Sequence, residues 1–307
     1  MKNTTIYVLL ALFLVGKSLA LSSDPSASID VDLRPKVIEQ GGAALLTVSG
    51  PAEAAELECY FLGRRYEAFS SPVLGTKRVI LACSWDTEVG TETIELRGVD
   101  CFGNPFLRKV DLEIVDGGFP KETLEVAPSM ADPPGELLSR IRRESALLSR
   151  VLSNVTRAKL FGSFLRPIPG KVTSPYGSKR VFNGRVRSRH SGVDLRGGVG
   201  RAVKACNRGQ VVLSKELYFA GKTVILDHGM GIFSLYAHLS NLTVQRGEML
   251  KRGQTLGYVG ATGRVTGPHL HWGLKLHGMN VSPLDVLDFP LIPHVSDTAE
   301  MASIESY

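Results

Sequence analysis

Short apolar runs separated by turn residues fill the first 116 residues of the chain. The runs cover residues 44–48, 57–62, 79–83, 93–99 and 109–115, and clusters of Gly, Pro, Ser and Asp lie between them. Runs of this length, bounded in this way, are typical of strands rather than helices. Their spacing predicts a mainly β chain that begins with a small antiparallel sandwich of immunoglobulin-like type over residues 21–116.

A different pattern follows between residues 117 and 160. The composition first turns to Gly, Pro, Glu and Ser, which marks a linker. Asp132 is then predicted to cap a helix whose first residue is Pro133. Apolar side chains recur on one face of this helix, at Leu137, Ile141, Leu148, Leu152 and Val155. We expect this amphipathic helix to pack on the following domain or on a partner helix, with a membrane surface as the alternative.

The N-terminus has the pattern of a targeting segment. Lys2 precedes an apolar run over residues 6–15 that is too short to span a bilayer. Ser18 and Ala20 supply the small residues of a cleavage site. We therefore predict a secretory signal peptide over residues 1–20, with an uncleaved anchor as the alternative. Because no later stretch approaches ~18 apolar residues, no stable membrane insertion is expected after its removal.

Composition and charge narrow the class of partner. The chain has 307 residues, of which 43% are hydrophobic and 21% charged, which excludes a disordered or collagen-like protein. Its formal charge of +6 is unevenly distributed, because residues 161–290 hold 18 Lys and Arg against 6 Asp and Glu. Such a region favours an anionic partner. Export argues against nucleic acid as that partner.

Export also permits disulfides among the four cysteines, which are Cys59, Cys83, Cys101 and Cys206. Cys59 and Cys83 each share strand parity with apolar neighbours, so both are expected to point inward. A bridge between these two is the pairing we expect, although four cysteines allow three full pairings. Cys206 has no other Cys or His at ligand spacing, and it is expected to be a buried thiol.

Histidines concentrate in the basic region. Six of the seven fall within residues 161–290: His190, His228, His238, His269, His271 and His277. In an extended chain His190 and Asp194 face the same side, and Gly192 between them would let the backbone bend. Their side chains could therefore converge on one ion.

A second histidine pair lies in a predicted strand that begins after Pro268. The period of two residues places His269 and His271 on one face, whereas Leu270 and Trp272 point into the core. One histidine of this pair would join His190 and Asp194 as metal ligands. Two imidazoles and one carboxylate suit tetrahedral Zn²⁺, with the fourth position open for a water whose pKa the metal lowers. The other histidine of the pair would lie beside the metal and handle protons.

Three segments occur in a characteristic order. They are His-x-x-x-Asp at 190–194, Leu-Tyr-Ala-His-Leu-Ser at 235–240 and Gly-Pro-His-Leu-His at 267–271. Together they resemble the lysostaphin/LytM-type zinc metallopeptidases, which cut peptidoglycan peptides. The resemblance covers roughly residues 167–287, and it does not reach the N-terminal region.

The resemblance implies an antiparallel β-domain over residues 161–290 with a groove on one sheet face. It also implies one Zn²⁺ per chain, bound by His190, Asp194 and His271. His238 and His269 would flank the metal and serve the chemistry, and which of them is the base stays open. By position, His228 is expected to be a structural turn residue, with a place in the cleft as the alternative. His277 and His294 are expected to be solvated.

A cluster of arginines precedes His190 in the sequence. We predict that these residues line the rim of the groove and contact the substrate, with a generally solvated basic face as the alternative. They are Arg180, Arg185, Arg187 and Arg189, and Tyr176 is predicted to contact the substrate as well. A basic rim suits a substrate whose stem peptides carry free carboxylates.

The sequence therefore predicts a zinc metalloendopeptidase that hydrolyses the peptide cross-links of bacterial peptidoglycan. The alternative is a catalytically silent peptidoglycan-binding activator of another cell-wall hydrolase. All five candidate His and Asp positions are filled, which favours the enzyme. We expect the periplasm as its location, with secretion or cell-wall association otherwise, and a flexible tail over residues 291–307. A divisome or cell-wall protein partner is left open.

Overall fold

The structure is a computed structural model that describes residues 29–50, 56–71, 75–99, 103, 105–158 and 161–291. The predicted signal peptide, Cys101, His294 and residues 292–307 of the predicted tail lie outside the described residues. The described part is mainly β, as predicted. No helix within it is both long enough and apolar enough to cross a membrane.

The N-terminal part contains two sheets. Within the described residues their strands are β1 (Asp30–Arg34), β2 (Val37–Glu39), β3 (Ala43–Ser49), β4 (Glu56–Phe61), β5 (Arg64–Glu67), β6 (Phe69–Ser70), β7 (Thr76–Ala82), β8 (Gly90–Val99) and β9 (Pro105–Val115). One sheet has the order β1-β3-β7-β6 and the other β2-β9-β8-β4-β5. All five predicted strands occur, whereas the pattern missed β1, β2, β5 and β6. Residues from both sheets, such as Leu46 and Leu96, share one hydrophobic core.

The predicted bridge between Cys59 and Cys83 is wrong. Both thiols are free and fully buried. Cys59 lies on β4 of one sheet, and Cys83 follows β7 of the other. The Cys83 thiol instead donates a hydrogen bond to the Glu39 carbonyl at 3.4 Å. Burial raises the pKa of the Cys59 thiol to about 12. Strand parity therefore predicted the inward direction of both side chains but not their separation into two sheets.

The segment between the N-terminal and C-terminal sheets contains β10 (Lys121–Leu124), α1 (Pro128–Ala131) and α2 (Gly135–Ser153). The predicted start of α2 at Pro133 is wrong, and Asp132 instead ends α1. The reason is Pro134, which disfavours helical geometry at the residue before it. The amphipathic helix itself is confirmed, but it ends at Ser153, so the placement of Val155 on its apolar face is wrong, and Val155 is exposed. The leucines of the helix pack on a cluster of the C-terminal sheet. These contacts join Leu147, Leu148 and Leu152 to Leu213, Leu217, Ile225 and Phe233.

The C-terminal part is built on an antiparallel sheet of ten strands, counted over the described residues. They are β11 (Val172–Ser174), β14 (Gly192–Arg196), β15 (Ala202–Lys204), β16 (Gly209–Leu217), β17 (Gly221–Asp227), β18 (Ile232–Leu242), β19 (Met249–Leu250), β20 (Thr255–Val259), β21 (His269–Leu276) and β22 (Met279–Val281). The main order is β11-β14-β21-β18-β17-β16-β19. A separate sheet joins β10 to β12 (Lys179–Phe182) and β13 (Arg185–Arg189), and a short 3-10 helix covers Asp285–Asp288.

The N-terminal and C-terminal sheets contact each other near the end of β21. His277, which was expected to be solvated, packs its ring 4.7 Å from the ring of Tyr66. Its Nε2 lies 3.2 Å from the carbonyl oxygen of Ile80. The expectation of a solvated side chain is therefore wrong. A residue just after a predicted strand is expected to lie in an exposed loop. Here residues of the N-terminal part cover that loop.

Candidate metal centre

The register of the sheet brings the expected metal ligands together. Asp194 on β14 lies directly opposite His271 on β21, so the two side chains share one face. Ser174 of β11 lies opposite Asp194 on its other side. His190 precedes β14, and its backbone N–H donates to the carbonyl of Ser178 at 2.9 Å. Two neighbouring strands and the residue that precedes β14 by two positions thus supply the three candidate ligands.

Gly192 is required here by close packing rather than by a bend. A Cβ added at this position would lie 2.3 Å from the carbonyl oxygen of Trp272 on the neighbouring strand. Any side chain would therefore push β14 away from β21, and with it Asp194 away from His271. The glycine does not have the left-handed φ of the turn glycines.

Three side-chain atoms form a compact triangle. His190 Nε2 lies 3.0 Å from Asp194 Oδ1 and 2.9 Å from His271 Nδ1, and the third side, from His271 Nδ1 to Asp194 Oδ1, is 3.0 Å. All three residues are buried. One Zn²⁺ ion with ligand distances of about 2.0–2.2 Å could contact three atoms that are this close together.

The hydrogen bonds of His190 fix which nitrogen faces the triangle. Its Nδ1 lies 2.8 Å from the carbonyl oxygen of Pro175 and 3.0 Å from Ser174 Oγ. A carbonyl oxygen only accepts, so Nδ1 carries the proton and Nε2 presents a lone pair. Converging lone pairs and a carboxylate oxygen repel one another unless a cation lies between them. The donor set therefore fits a metal ion.

The second oxygen of Asp194 is held by Arg180. Asp194 Oδ2 accepts a hydrogen bond from Arg180 Nη2, which also donates to Ser174 Oγ at 3.0 Å. On its other side, Arg180 Nε lies 3.6 Å from Glu122 Oε2. Sequence reasoning placed Arg180 on the groove rim, and no sequence signal pointed to Glu122 at all. Here the Arg180 guanidinium orients the Asp194 carboxylate and leaves Oδ1 for the triangle.

His271 and Asp194 of the triangle have the protonation states that metal binding requires. Burial lowers the pKa of His271 to about 4, so its imidazole is neutral at pH 7. Burial alone would raise the pKa of Asp194, but the adjacent His190 and His271 side chains outweigh it and hold that pKa well below its usual range. Neutral imidazoles and an ionised carboxylate are the forms that ligate metals.

His238 reaches the same face through a break in strand alternation. Ala237 lies opposite His271, so regular alternation would send the next side chain to the other face. Instead β18 has one extra residue here relative to β17, and His238 adopts a left-handed φ of 63°. Its ring centre consequently lies 5.0 Å from that of His269 and 6.0 Å from that of His271.

Both flanking histidines present Nε2 to the centre. His238 Nδ1 donates to the carbonyl of Thr262 at 2.8 Å, and His269 Nδ1 donates to the carbonyl of Gly267 at 2.8 Å. His269 Nε2 lies 3.6 Å from Asp194 Oδ1. Burial lowers the pKa of His238 to about 3, which keeps its imidazole neutral at pH 7.

Two of the other residues predicted to contact substrate, Arg189 and Tyr176, contact groups outside the metal centre. Arg189 lies over the ring of Phe119 at 5.2 Å. Tyr176 is buried at the contact between the N-terminal and C-terminal parts, and its hydroxyl donates to the carbonyl of Asn280 at 2.6 Å. Arg185 and Arg187 lie on β13, but their side chains are outside the described set.

His228 belongs to a separate buried network. Its Nδ1 lies 2.7 Å from the Arg208 carbonyl and its Nε2 lies 2.7 Å from Ser234 Oγ. The thiol of Cys206, whose pKa burial raises to about 11, is 3.8 Å from the same Nε2. Both residues are fully buried. His228 thus has the structural position that the sequence favoured.

His228→Asn is expected to make folding less sensitive to acid. Burial lowers the pKa of His228 to about 4 in the folded chain, against about 6.5 when unfolded. The unfolded chain binds the extra proton between these values, so His228 stabilises the fold above pH 6.5 and this stabilisation is lost as the pH falls to 4. The loss amounts to roughly 3 kcal/mol. Urea unfolding of both proteins from pH 7.5 to 4 measures it, and parallel stability curves would contradict it.

Comparison with known families finds a match in this region of the chain. Residues 188–283 match the family model of Peptidase family M23. The metal centre and both flanking histidines lie within the match.

Curated relatives are similar over the same region. The chain is 39% identical over 95 residues to the peptidoglycan DD-endopeptidase ShyA of Vibrio cholerae, covering 31% of this chain and 22% of that protein. It is 33% identical over 116 residues to the DD-carboxypeptidase/endopeptidase Mpg of Neisseria meningitidis, covering 38% of this chain and 27% of that protein. The chain thus spans only 22% to 30% of the length of these first relatives.

One solved structure is similar over a longer stretch. The putative peptidase M23 from Pseudomonas aeruginosa superposes with a TM-score of 0.60 at 26% sequence identity. The superposition covers 81% of this chain and 94% of that one. The superposed region is much longer than residues 188–283. The structural similarity therefore extends beyond the residues that match the family model.

Proposed function

We propose that this protein is a zinc-dependent endopeptidase that hydrolyses the peptide cross-links of bacterial peptidoglycan. The main support for this proposal is a group of three atoms that lie within 3.0 Å of one another. They are His190 Nε2, Asp194 Oδ1 and His271 Nδ1. Two further histidines direct Nε2 toward the same place. The activities named for the relatives support peptidoglycan as the substrate.

In this proposal His190, Asp194 and His271 hold the zinc ion. Zinc, when bound, would supply Lewis-acid chemistry that activates water and polarises the scissile carbonyl. His238 and His269 are fixed by their Nδ1–H bonds to Thr262 and Gly267, so each keeps a lone pair on Nε2. One of them accepts the proton of the attacking water and later passes it to the leaving amine. Once protonated, the same group also donates a hydrogen bond to the developing oxyanion.

We further propose an exported, periplasmic protein with a cleaved signal peptide at residues 1–20, on the sequence pattern around Lys2 and Ala20. The proposed organisation is a β-domain at 21–116, a linker at 117–160 and the peptidase domain at 161–290. For the first of these we propose an immunoglobulin-like sandwich. The strand orders β1-β3-β7-β6 and β2-β9-β8-β4-β5 support it, because four and five strands in two sheets resemble that topology.

Digestion of purified peptidoglycan tests the proposal. The zinc-loaded protein is expected to release peptides with a new amino group at the cross-link while the glycan strands stay intact, as mass spectrometry of the soluble fragments would show. Chelation should abolish release, and added zinc should restore it. If the protein bound the polymer and stimulated another hydrolase but released no peptides itself, the activator function would replace the enzyme.

A further inference from the structure

Arg264, in the loop between β20 and β21, is held firmly but has no carboxylate partner among the described residues. Its guanidinium carbon lies 4.1 Å from the ring centre of Phe182 and 4.4 Å from that of Phe219. Its Nη1 reaches a backbone carbonyl, that of Met130, only at 3.5 Å. Burial, together with the charge of Arg180, lowers the pKa of Arg264 to about 10, so it remains protonated at neutral pH.

Arg264 shares a cavity with the metal centre. The cavity has a volume of about 340 Å³ and is lined by Arg264, Asp194 and His269, with Arg180 and Glu122 on the side of β10 and β12. A group bound by Arg264 would therefore lie next to the reacting atoms.

The charges of this cavity leave room for one anion. Arg180 is already engaged by Asp194 and Glu122, so its charge is compensated. The formal charges of these three residues and Arg264 cancel, and a divalent cation at the triangle would bring the total to +2. Arg264 is the cation of this set that lacks an ion-pair partner among the described residues. One negatively charged group of the substrate would lower this total to +1 and supply the missing partner of Arg264.

We infer that Arg264 binds a free carboxylate of the substrate, borne by the residue that contributes the scissile nitrogen or by its immediate neighbour. Phe182 and Phe219 offer no hydrogen-bond acceptor oxygen or nitrogen in their side chains, so these ring contacts leave the N–H groups along the guanidinium edge for hydrogen bonding. That edge matches a carboxylate in a bidentate arrangement. The inference rests on the proposed function. It adds that Arg264 selects substrates with a carboxylate next to the scissile bond.

A matched pair of substrates tests it. One is a cross-linked peptide dimer with a free carboxylate on the carbon that bears the scissile nitrogen, and the other is the same dimer with that carboxylate amidated. For the zinc-loaded wild type, amidation is expected to lower kcat/KM by about tenfold or more. Arg264→Gln should cleave both peptides equally, at close to the wild-type rate on the amide. Arg264→Lys should retain part of the preference for the free carboxylate, because it keeps the positive charge but loses the paired N–H groups of the guanidinium.

Two controls separate this role from a purely structural one. Arg97→Gln removes another arginine that lies over an aromatic ring, Tyr60 at 5.4 Å, but in the N-terminal sheets, and it should keep the full preference. Binding of both peptides to the chelated full-length protein, measured by calorimetry, should show the same carboxylate preference in the wild type and its loss in Arg264→Gln. An Arg264→Gln protein with the same ratio of kcat/KM between the two peptides as the wild type would overturn the inference. If the wild type cleaved neither peptide, the proposed function would fail, and the binding measurement would still decide the role of Arg264.

Discussion

His271→Ala is expected to abolish metal retention and peptidoglycan hydrolysis together. The change removes Nδ1, one of the three atoms that lie within 3.0 Å of one another. Catalytic zinc sites use three protein ligands and keep the fourth position for water, so two ligands would not hold the ion. Replacing groups that merely orient a ligand costs about 10- to 100-fold in metal affinity or activity, and loss of a ligand should cost more.

The measurement is the zinc content per chain after gel filtration, alongside fragment release from cell walls. The wild type should hold close to one zinc and the variant essentially none. His228→Asn is the matched control, because it alters a buried histidine of the same sheet that lies outside the triangle and should leave the metal content unchanged. Circular dichroism would show whether the sheet persists. A folded His271→Ala protein that kept one zinc per chain would contradict this assignment of the ligands.

The histidine pair of β21 shows what the sequence could predict. Alternation between Leu270 and Trp272 in the core and His269 and His271 on the other face follows from the two-residue period, and the strand His269–Leu276 confirms it. The two-residue period does not predict that His271 lies opposite Asp194. That position depends on β14 pairing with β21 in one register among many, and local pattern does not specify pairing between segments about 75 residues apart.

Long-range packing also explains the errors. His277 and the cysteine pair were judged from their neighbours in sequence, whereas their surroundings come from another sheet. Arg180 was recognised as part of a basic cluster, but its ion pair with Asp194 needs the fold of β12 against β11 and β14. His238 is the clearest example, because strand parity alone would direct it away from the metal centre. Only the resemblance to a known family anticipated its place.

His238→Ala is expected to retain zinc and lose most turnover. The ring of His238 lies beside the triangle and contributes no atom to it, so the ligands stay in place. Its Nδ1–H is bound to the Thr262 carbonyl, and burial keeps the imidazole neutral, so Nε2 carries a lone pair. Loss of a positioned acid–base group typically lowers the rate by about 10²- to 10⁴-fold. Metal analysis and the rate of cross-link cleavage measure the two effects separately.

His238→Asn distinguishes proton transfer from support of the bulge in β18. Asparagine tolerates the left-handed φ of 63° better than most residues, and its side-chain amide can still donate to the Thr262 carbonyl. It has no ring nitrogen to accept a proton, so it should fold and bind zinc as the wild type does and yet be as slow as His238→Ala. Full activity in the asparagine variant would assign His238 to structure and leave His269 as the base, since its Nε2 lies 3.6 Å from Asp194 Oδ1. Loss of zinc in both variants would instead place His238 among the groups that hold the metal.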